Sequence, residues 1–476
     1  MVKSLSKSVA WYGLGNVFIR SVSFILLPFY SNLISTSEFG NYALLMSVYA
    51  IISVLYQFGM YGSLNKFYIE EASKEKKKII FSTLFNFIIL IGVFFTIILC
   101  FSAKDITKVI FESTEYSSLM VLVFIALFIE TMCFYILLLL KTKELSKQAV
   151  FYSGAGAILN LVFNIIFVFI LRLSVAGIIL AQLLSASVLF FIMIKVISED
   201  YVLKIDTLII KSLLKFAYPL LFAGFLSAAV DVADRFILNY FLGTSEVGIY
   251  SLAYRIAMVM NVFVISFRTA WNPYSLNLFY SKDYKSTYGT TLSKLVAISC
   301  IILLTVSLFS KYLFEINISG FHLFNPLYKE GIIILPLVLT GYIFSGISSF
   351  YSVYPNISNK SYHFLISDLI AFVSNIIVNI IFIPKYGIIG AAFATAIGFL
   401  FGAAYLFFIS RDQIKIDYQT KNLSVIILSA LIFLFAGLNF NSIIVDVIVV
   451  ASYLATLRFI VKLNLTEIFK LNSRSA

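Results

Sequence analysis

Thr36-Ser37-Glu38-Phe39-Gly40-Asn41-Tyr42-Ala43-Leu44 returns 208 residues later as Thr244-Ser245-Glu246-Val247-Gly248-Ile249-Tyr250-Ser251-Leu252. Each copy ends one long apolar run and opens the next. Further matches keep the same order. Phe67-Tyr68 recurs as Phe279-Tyr280. Asn160 and Asn164 recur as Asn375 and Asn379, and Asn164 and Asn379 are both followed by Ile-Ile-Phe. Small residues follow in both halves, at Ala176-Gly177 and Gly390-Ala391. The chain is thus read as a duplication with a C-terminal extension: residues 1–204, 205–410 and 411–476.

The composition says what solvent the duplicated unit meets. Of 476 residues, 61% are hydrophobic and only 12% are charged, with a mean hydropathy of +1.00. That charge share is about half the usual one of a soluble protein. A water-soluble fold, a disordered chain and a coiled coil are excluded, because so little charge cannot clothe so much apolar surface. Apolar runs of roughly 20 residues instead read as membrane spans. Fourteen are expected: 9–33, 41–62, 79–101, 118–140, 149–171, 174–197, 216–241, 247–270, 291–314, 330–352, 362–383, 386–409, 422–438 and 441–461. The first run is too long for a signal peptide and is read as retained.

Lysine and arginine orient these spans. The N-terminus, the even-numbered loops and the C-terminal tail carry 24 of them, and the odd-numbered loops carry 6. By the positive-inside rule, both termini are expected in the cytoplasm. The net charge of +12 is then a topology signal and not a sign of nucleic-acid binding. The longest outer loops, near 102–117 and 315–329, are too short for a folded domain, so function is expected within the membrane. Two histidines and three cysteines without paired spacing give no metal site. No phosphate-binding loop or nucleophile elbow is present, and no cofactor is implied.

Six spans per repeat is an even number, so both repeats share one orientation. The expected fold is all-α and polytopic: fourteen transmembrane helices, with two six-helix parallel repeats around a central cavity and two additional C-terminal helices. Parallel repeats of this kind point to a transporter working by alternating access.

Ionisable residues inside spans are costly and default to functional candidates. Arg20 lies near the middle of span 1 and Arg255 at intermediate depth in span 8. Neither is duplicated, since the repeat offset pairs Arg20 with Ala228 and Arg255 with Ser47. Two such arginines suit an anionic phosphate or diphosphate ligand, because guanidinium stays charged and donates in pairs. Asp231, Asp234 and Arg235 form a cluster in span 7, read first as an ion pair or gate. The i,i+4 spacing of Asp231 and Arg235 lets them pair. Glu130, alone in span 4, is either a coupling-ion or proton site or a hydrogen-bonded core acid. The four repeated asparagines are expected to bond helix to helix. Asp446 and Arg458, near the ends of span 14, are expected to snorkel. Pro28 and Pro219 are candidate bending points, and Tyr49, Tyr56 and Tyr254 candidate sugar-stacking rings.

Several of these stretches carry a family resemblance. Asp234-Arg235-Phe236-Ile237-Leu238, then Phe241-Leu242-Gly243 and Val247-Gly248-Ile249-Tyr250, resemble the seventh-to-eighth-span signature of bacterial polysaccharide exporters. Pro28-Phe29-Tyr30 leading to Glu38-Phe39-Gly40-Asn41-Tyr42 resembles their first turn. The whole chain is similar to Wzx-type lipid-linked oligosaccharide flippases of the multidrug/oligosaccharidyl-lipid/polysaccharide exporter superfamily. The resemblance implies a transporter, not an enzyme, in the bacterial inner membrane. It would flip undecaprenyl-diphosphate-linked oligosaccharide units for O-antigen, lipopolysaccharide or a related polymer.

In the related lipid II flippases, arginines of spans 1 and 8 hold the diphosphate, and Arg20 and Arg255 occupy comparable positions. Those flippases also carry an arginine in span 2, and this chain has none between Asn41 and Gly62. Their last two spans form a groove for the lipid tail. A polymerase of the same pathway, membrane lipids and a coupling H+ or Na+ are the implied partners, and a monomer suffices. The alternative is a cation-coupled multidrug exporter of the same superfamily, which usually has an acid, not an arginine, deep in span 1.

Overall fold

The computed structural model describes residues 15, 18, 19, 21, 22, 24–281, 283–358, 360, 362–440 and 442–463. Among them, twelve helices are long and apolar enough to cross a membrane, and Phe24–Leu33 (α1) is a shorter apolar helix at the end of the first expected span. The surface is inverted relative to a soluble protein: Phe101, Phe191 and Phe435 are 85%, 70% and 73% exposed. Such rings are stable facing hydrocarbon, and helices satisfy their own backbone groups there. The chain is therefore an all-α, multi-pass membrane protein.

Contacts divide the chain into two compact units, Met1–Gly248 and Ile249–Ala476. The first contains α1, α2 (Thr36–Gln57), α3 (Met60–Glu70), α4 (Lys74–Phe111), α5 (Ser117–Thr142), α6 (Ser146–Asn164), α7 (Ser174–Ile197) and α8 (Thr207–Leu242). It also takes in the first turn of α9 (Thr244–Phe279). Helix α5 is central, with α2, α4, α6 and α7 packed around it. Phe81, Tyr135 and Leu213 are wholly buried in the core near its end. The Tyr135 hydroxyl donates to the Gln57 carbonyl, which ties α5 to the last turn of α2.

Local chemistry sets the helix ends. The Ser35 hydroxyl accepts the Glu38 N–H, and Glu38 accepts from the Ser35 N–H, a reciprocal cap that starts α2. Asp206 caps α8 by accepting the N–H groups of Leu208 and Ile209. The expected 41–62 span is one apolar run in sequence but breaks at Phe58 and Gly59, both with positive φ, and α3 begins afresh. The expected loop at 102–117 is mostly helix, because α4 continues to Phe111.

The second unit contains the rest of α9, α10 (Tyr284–Leu313), α11 (Leu335–Tyr351), α12 (Val353–Ile357), α13 (Tyr362–Arg411), α14 (Thr420–Asn439) and α15 (Ile443–Ala455). The expected outer loop at 315–329 holds a small hairpin, β1 (Asn317–Ile318) paired antiparallel with β2 (Phe321–His322). Helix α13 is 50 residues long and covers two expected spans, with a break at Gly387 (φ 57, ψ −134) that turns the chain back. Helices α11 and α13 pack together, and α14 lies on α10.

The repeated motif marks a close approach of backbones. A Cβ on Gly40 would lie 1.8 Å from the Thr244 carbonyl oxygen, and one on Gly248 would lie 2.0 Å from the Thr36 oxygen. The flanking hydroxyls bond across the same contact, Thr36 Oγ1 to Ser245 Oγ at 2.8 Å and Ser37 Oγ to Thr244 Oγ1 at 2.7 Å. The two copies thus clasp each other reciprocally, and only glycine fits at either centre. Gly40→Ala and Gly248→Ala should each destabilise the protein by at least the roughly 1–3 kcal/mol of an overpacked core. Thermal unfolding in detergent checks this, with Gly154→Ala as the control, because a Cβ there meets nothing closer than 3.7 Å.

Candidate functional site

In the first unit, a cavity of about 410 Å³ opens beside Glu130 of α5. Tyr49 of α2, Asn160 of α6 and Ser185 of α7 line it, with Leu127 and Phe134 as apolar walls. The Tyr49 hydroxyl donates to Glu130 Oε2, and the Gln182 side chain makes a second hydrogen bond to the same carboxyl. Glu130 thus sits between α2 and α7, held by neutral groups. These partners lie on other helices, so spacing along α5 could not reveal them.

A file of polar contacts leads away from this cavity. Ser185 Oγ donates to the Gln182 carbonyl at 2.9 Å, and Asn160 Nδ2 reaches Ser185 Oγ at 3.4 Å. Asn164 Nδ2 donates to Asn160 Oδ1 at 3.1 Å, and the Tyr30 hydroxyl donates to Asn164 Oδ1 at 2.7 Å. Asn160 and Asn164 therefore join α6 to α7 and α1, as expected of interior amides. The second repeat differs. Asn375 and Asn379 are wholly buried and bond to each other at 2.9 Å within α13. Asn375 Nδ2 and Asn379 Oδ1 have no partner among the described residues.

The span 7 cluster lies on α8. Asp234 is 1% exposed and forms an ion pair with Arg235 Nη1 at 3.4 Å. Arg235 Nη1 also donates at 2.6 Å to residue 231, but to its main-chain carbonyl and not to the Asp231 carboxylate. The i,i+4 spacing brought the two residues together as expected, with a different acceptor.

Arg255 is half-buried on α9 in the second unit. Arg20 lies outside the described residues. Arg268 donates from Nε to Ser349 Oγ at 2.9 Å and acts electrostatically on Asp368. Asp446 corrects the sequence reading. It does not snorkel: it is wholly buried, accepts the Tyr312 hydroxyl at 2.6 Å and pairs with Lys311 Nζ at 2.8 Å. Lys311 Nζ also donates to the Phe440 carbonyl at 3.3 Å, so α10 holds both ends of the turn into α15. Arg458 is exposed. Two of the candidate stacking rings are instead packing rings. Tyr56 is wholly buried and bonded to Thr96, and Tyr254 packs between Tyr250 and Tyr342.

A second cavity, of about 870 Å³, lies at the end of the first unit where α5 turns into α6. Its walls mix Lys147 and Lys195 with Glu199 and the Lys143–Asp200 pair, which is 2.7 Å long. It was not singled out from sequence, because its residues come from the ends of α5, α6 and α7 and the turns beside them.

These features describe a multi-pass helical membrane protein with a polar cavity and ion pairs among its helices. The family model described as polysaccharide biosynthesis protein matches residues 5–279, more than half of the chain, and the chain belongs to that family. An uncharacterized membrane protein of Methanocaldococcus jannaschii is 23% identical over 418 residues, covering 83% of this chain and 81% of that protein. Among solved structures, the lipid II flippase MurJ in an inward closed conformation aligns with a TM-score of 0.73 at 19% identity, covering 94% of this chain and 98% of that one. An inward-facing multidrug resistance MATE family transporter of the MOP superfamily aligns with a TM-score of 0.72 at 16% identity, covering 83% and 94%. The chain shares its fold with both.

The geometry of α8 gives a specific expectation. Arg235→Ala removes the guanidinium beside the buried Asp234 carboxylate, and breaking such a pair should cost about 3–5 kcal/mol. Arg235→Lys keeps a cation beside Asp234 and should cost less. The difference is read as yield of monodisperse protein and as thermal midpoint in detergent.

Proposed function

We propose that the protein is a flippase for undecaprenyl-diphosphate-linked oligosaccharide units, moving them from the cytoplasmic to the outer leaflet of a bacterial inner membrane. The family match over residues 5–279 carries the reading, because it ties this transporter fold to polysaccharide biosynthesis. The fold alone leaves the choice open, since a lipid II flippase and a multidrug transporter align almost equally well. Charge favours the flippase: Arg20 and Arg255 are unduplicated arginines within apolar spans, and arginine clamps diphosphate oxygens through paired hydrogen bonds.

In this reading both termini are cytoplasmic, in line with the lysine and arginine asymmetry. The diphosphate and sugars enter a cavity from the cytoplasmic side, Arg20 and Arg255 hold the diphosphate, and alternating access releases the unit outside. The polyprenyl tail stays in the bilayer along α14 and α15, where Ile432, Phe435 and Ile444 are 66%, 73% and 68% exposed. Asp234 and Arg235 act as a structural or gating pair. One chain is sufficient, and a polymerase of the same pathway takes the product.

Depletion in the source cell, followed by lipid extraction and mass spectrometry, tests this. The expected result is accumulation of a single lipid-linked repeat unit that an impermeant sugar-oxidising reagent cannot reach. Arg20→Ala and Arg255→Ala should reproduce it at normal expression levels, with lysine at either position restoring part of the export. Accumulated lipid open to the reagent would instead indicate a later enzyme. No accumulation, with altered sensitivity to cationic drugs, would indicate the multidrug exporter.

A further inference from the structure

We propose that Glu130 is the site at which this transporter binds and releases a coupling proton, with the Tyr49–Glu130 contact as the joint through which that proton acts on the packing of α2 against α5. The inference rests on the transporter reading above.

Burial and isolation come first. Glu130 lies in the α5 span, where an ionised carboxylate is expensive unless a cation or several donors offset it. Among the described residues, the titratable groups facing it are Tyr49 from α2 and Cys133, one turn along α5 itself. Helices α6 and α7 bring only neutral polar groups, Ser153, Asn160, Gln182 and Ser185. Ile19 and Val22 of the first span also line the cavity, on either side of Arg20, which lies outside the described residues, and helices α3 and α4 contribute nothing to the described wall. The charged pairs elsewhere, Asp234–Arg235 and Asp446–Lys311, each have a basic partner within 4 Å. Among the described residues, Glu130 is held differently, by two hydrogen-bond donors that bear no charge.

The donor set selects a proton over a metal cation. A hard cation needs several oxygen lone pairs at short range. Here Tyr49 and Gln182 aim hydrogens at the carboxyl, and no group of three or more His, Cys, Asp or Glu gathers among the described residues. A proton needs a single carboxyl oxygen. It also needs water, and a 410 Å³ cavity with polar walls has room for several molecules. The file through Ser185, Asn160 and Asn164 to Tyr30 extends that polar surface to where α1 and α6 end.

The chemistry is a simple addition. The carboxylate takes one proton and becomes a neutral acid, and the cavity loses one negative charge. Before that, the Tyr49 hydroxyl donates to a charged acceptor, a bond roughly twice as strong as a neutral one. Afterwards it faces a neutral acid, and the tie between α2 and α5 weakens. A chemical change on α5 is thus felt by α2, the helix that begins at the glycine clasp.

The test uses full-length protein in lipid nanodiscs and infrared difference spectroscopy from about pH 5 to pH 9, the range in which a buried carboxyl can exchange its proton. We expect a protonated-carboxyl band that titrates, is lost in Glu130→Gln and is moved in Tyr49→Phe. Should Glu130→Gln not fold, Glu130→Asp should displace the band instead. In the leaflet assay above, cells carrying Glu130→Gln should accumulate protected lipid as depleted cells do. A wild-type spectrum without a titrating carboxyl band, or a band unchanged in the Glu130 variants, overturns the proposal and leaves the flippase reading standing. A titrating Glu130 band together with wild-type translocation by Glu130→Gln overturns the coupling role. Failure of the depletion experiment with an intact Glu130 titration falls on the flippase reading instead.

Discussion

Two backbones meet at Gly40 and Gly248 more closely than any side chain would allow, and four hydroxyls seal the contact reciprocally. Helices α2 and α9 both start there, so their registers are fixed at their first turns. An apolar helix in a membrane has little to hold its register, because lipid and neighbouring helices offer it similar surroundings. A pair of interlocked backbones does hold it. From the clasp, Tyr49 lies nine residues along α2, about 13.5 Å at 1.5 Å per residue. Its position along that helix is therefore set by a contact of backbones and hydroxyls.

Duplication supplied the frame, and the polar groups were then distributed unequally over it. The offset that maps Asn160 onto Asn375 carries Glu130 to Ser345, and the offset of the clasp carries Tyr49 to Ala257. The acid and its tyrosine belong to one repeat alone. Arg255 belongs to the other, opposite Ser47. Even the shared asparagines diverged in use: in α6 they reach Tyr30 and Ser185 on neighbouring helices, whereas in α13 they bond to each other.

How far the sequence could be read depended on the range of each interaction. Apolarity is local, so the helical, multi-pass class was legible. Breaks at Phe58 and Gly59 were not, because the apolar run continues through them. Spacing along one helix correctly joined Arg235 to residue 231 but could not tell carboxylate from carbonyl. Asp446 was read as an end residue free to snorkel. Burial between Lys311 and Tyr312 of another helix reversed that. The same limit applies at the candidate site. Glu130 was visible as an isolated acid, but Tyr49 was read as a candidate sugar-stacking ring, and its bond to Glu130 emerged only when α2 packed against α5.

The way each charge is held separates anchors from working groups. Lys311 meets Asp446 at 2.8 Å, and the pair ties α15 to α10. Removing either partner would leave the other desolvated and uncompensated, so the pair is a costly joint to break. Asp234 and Arg235 are held in the same way on α8. Such pairs fix geometry. Glu130 has hydrogen bonds but no counter-charge among them, and a polar cavity beside it. Among the described residues, the groups bonded to it are neutral donors. In the proposed mechanism the ion pairs are the anchors, and the switch is a carboxyl whose described neighbours carry no charge.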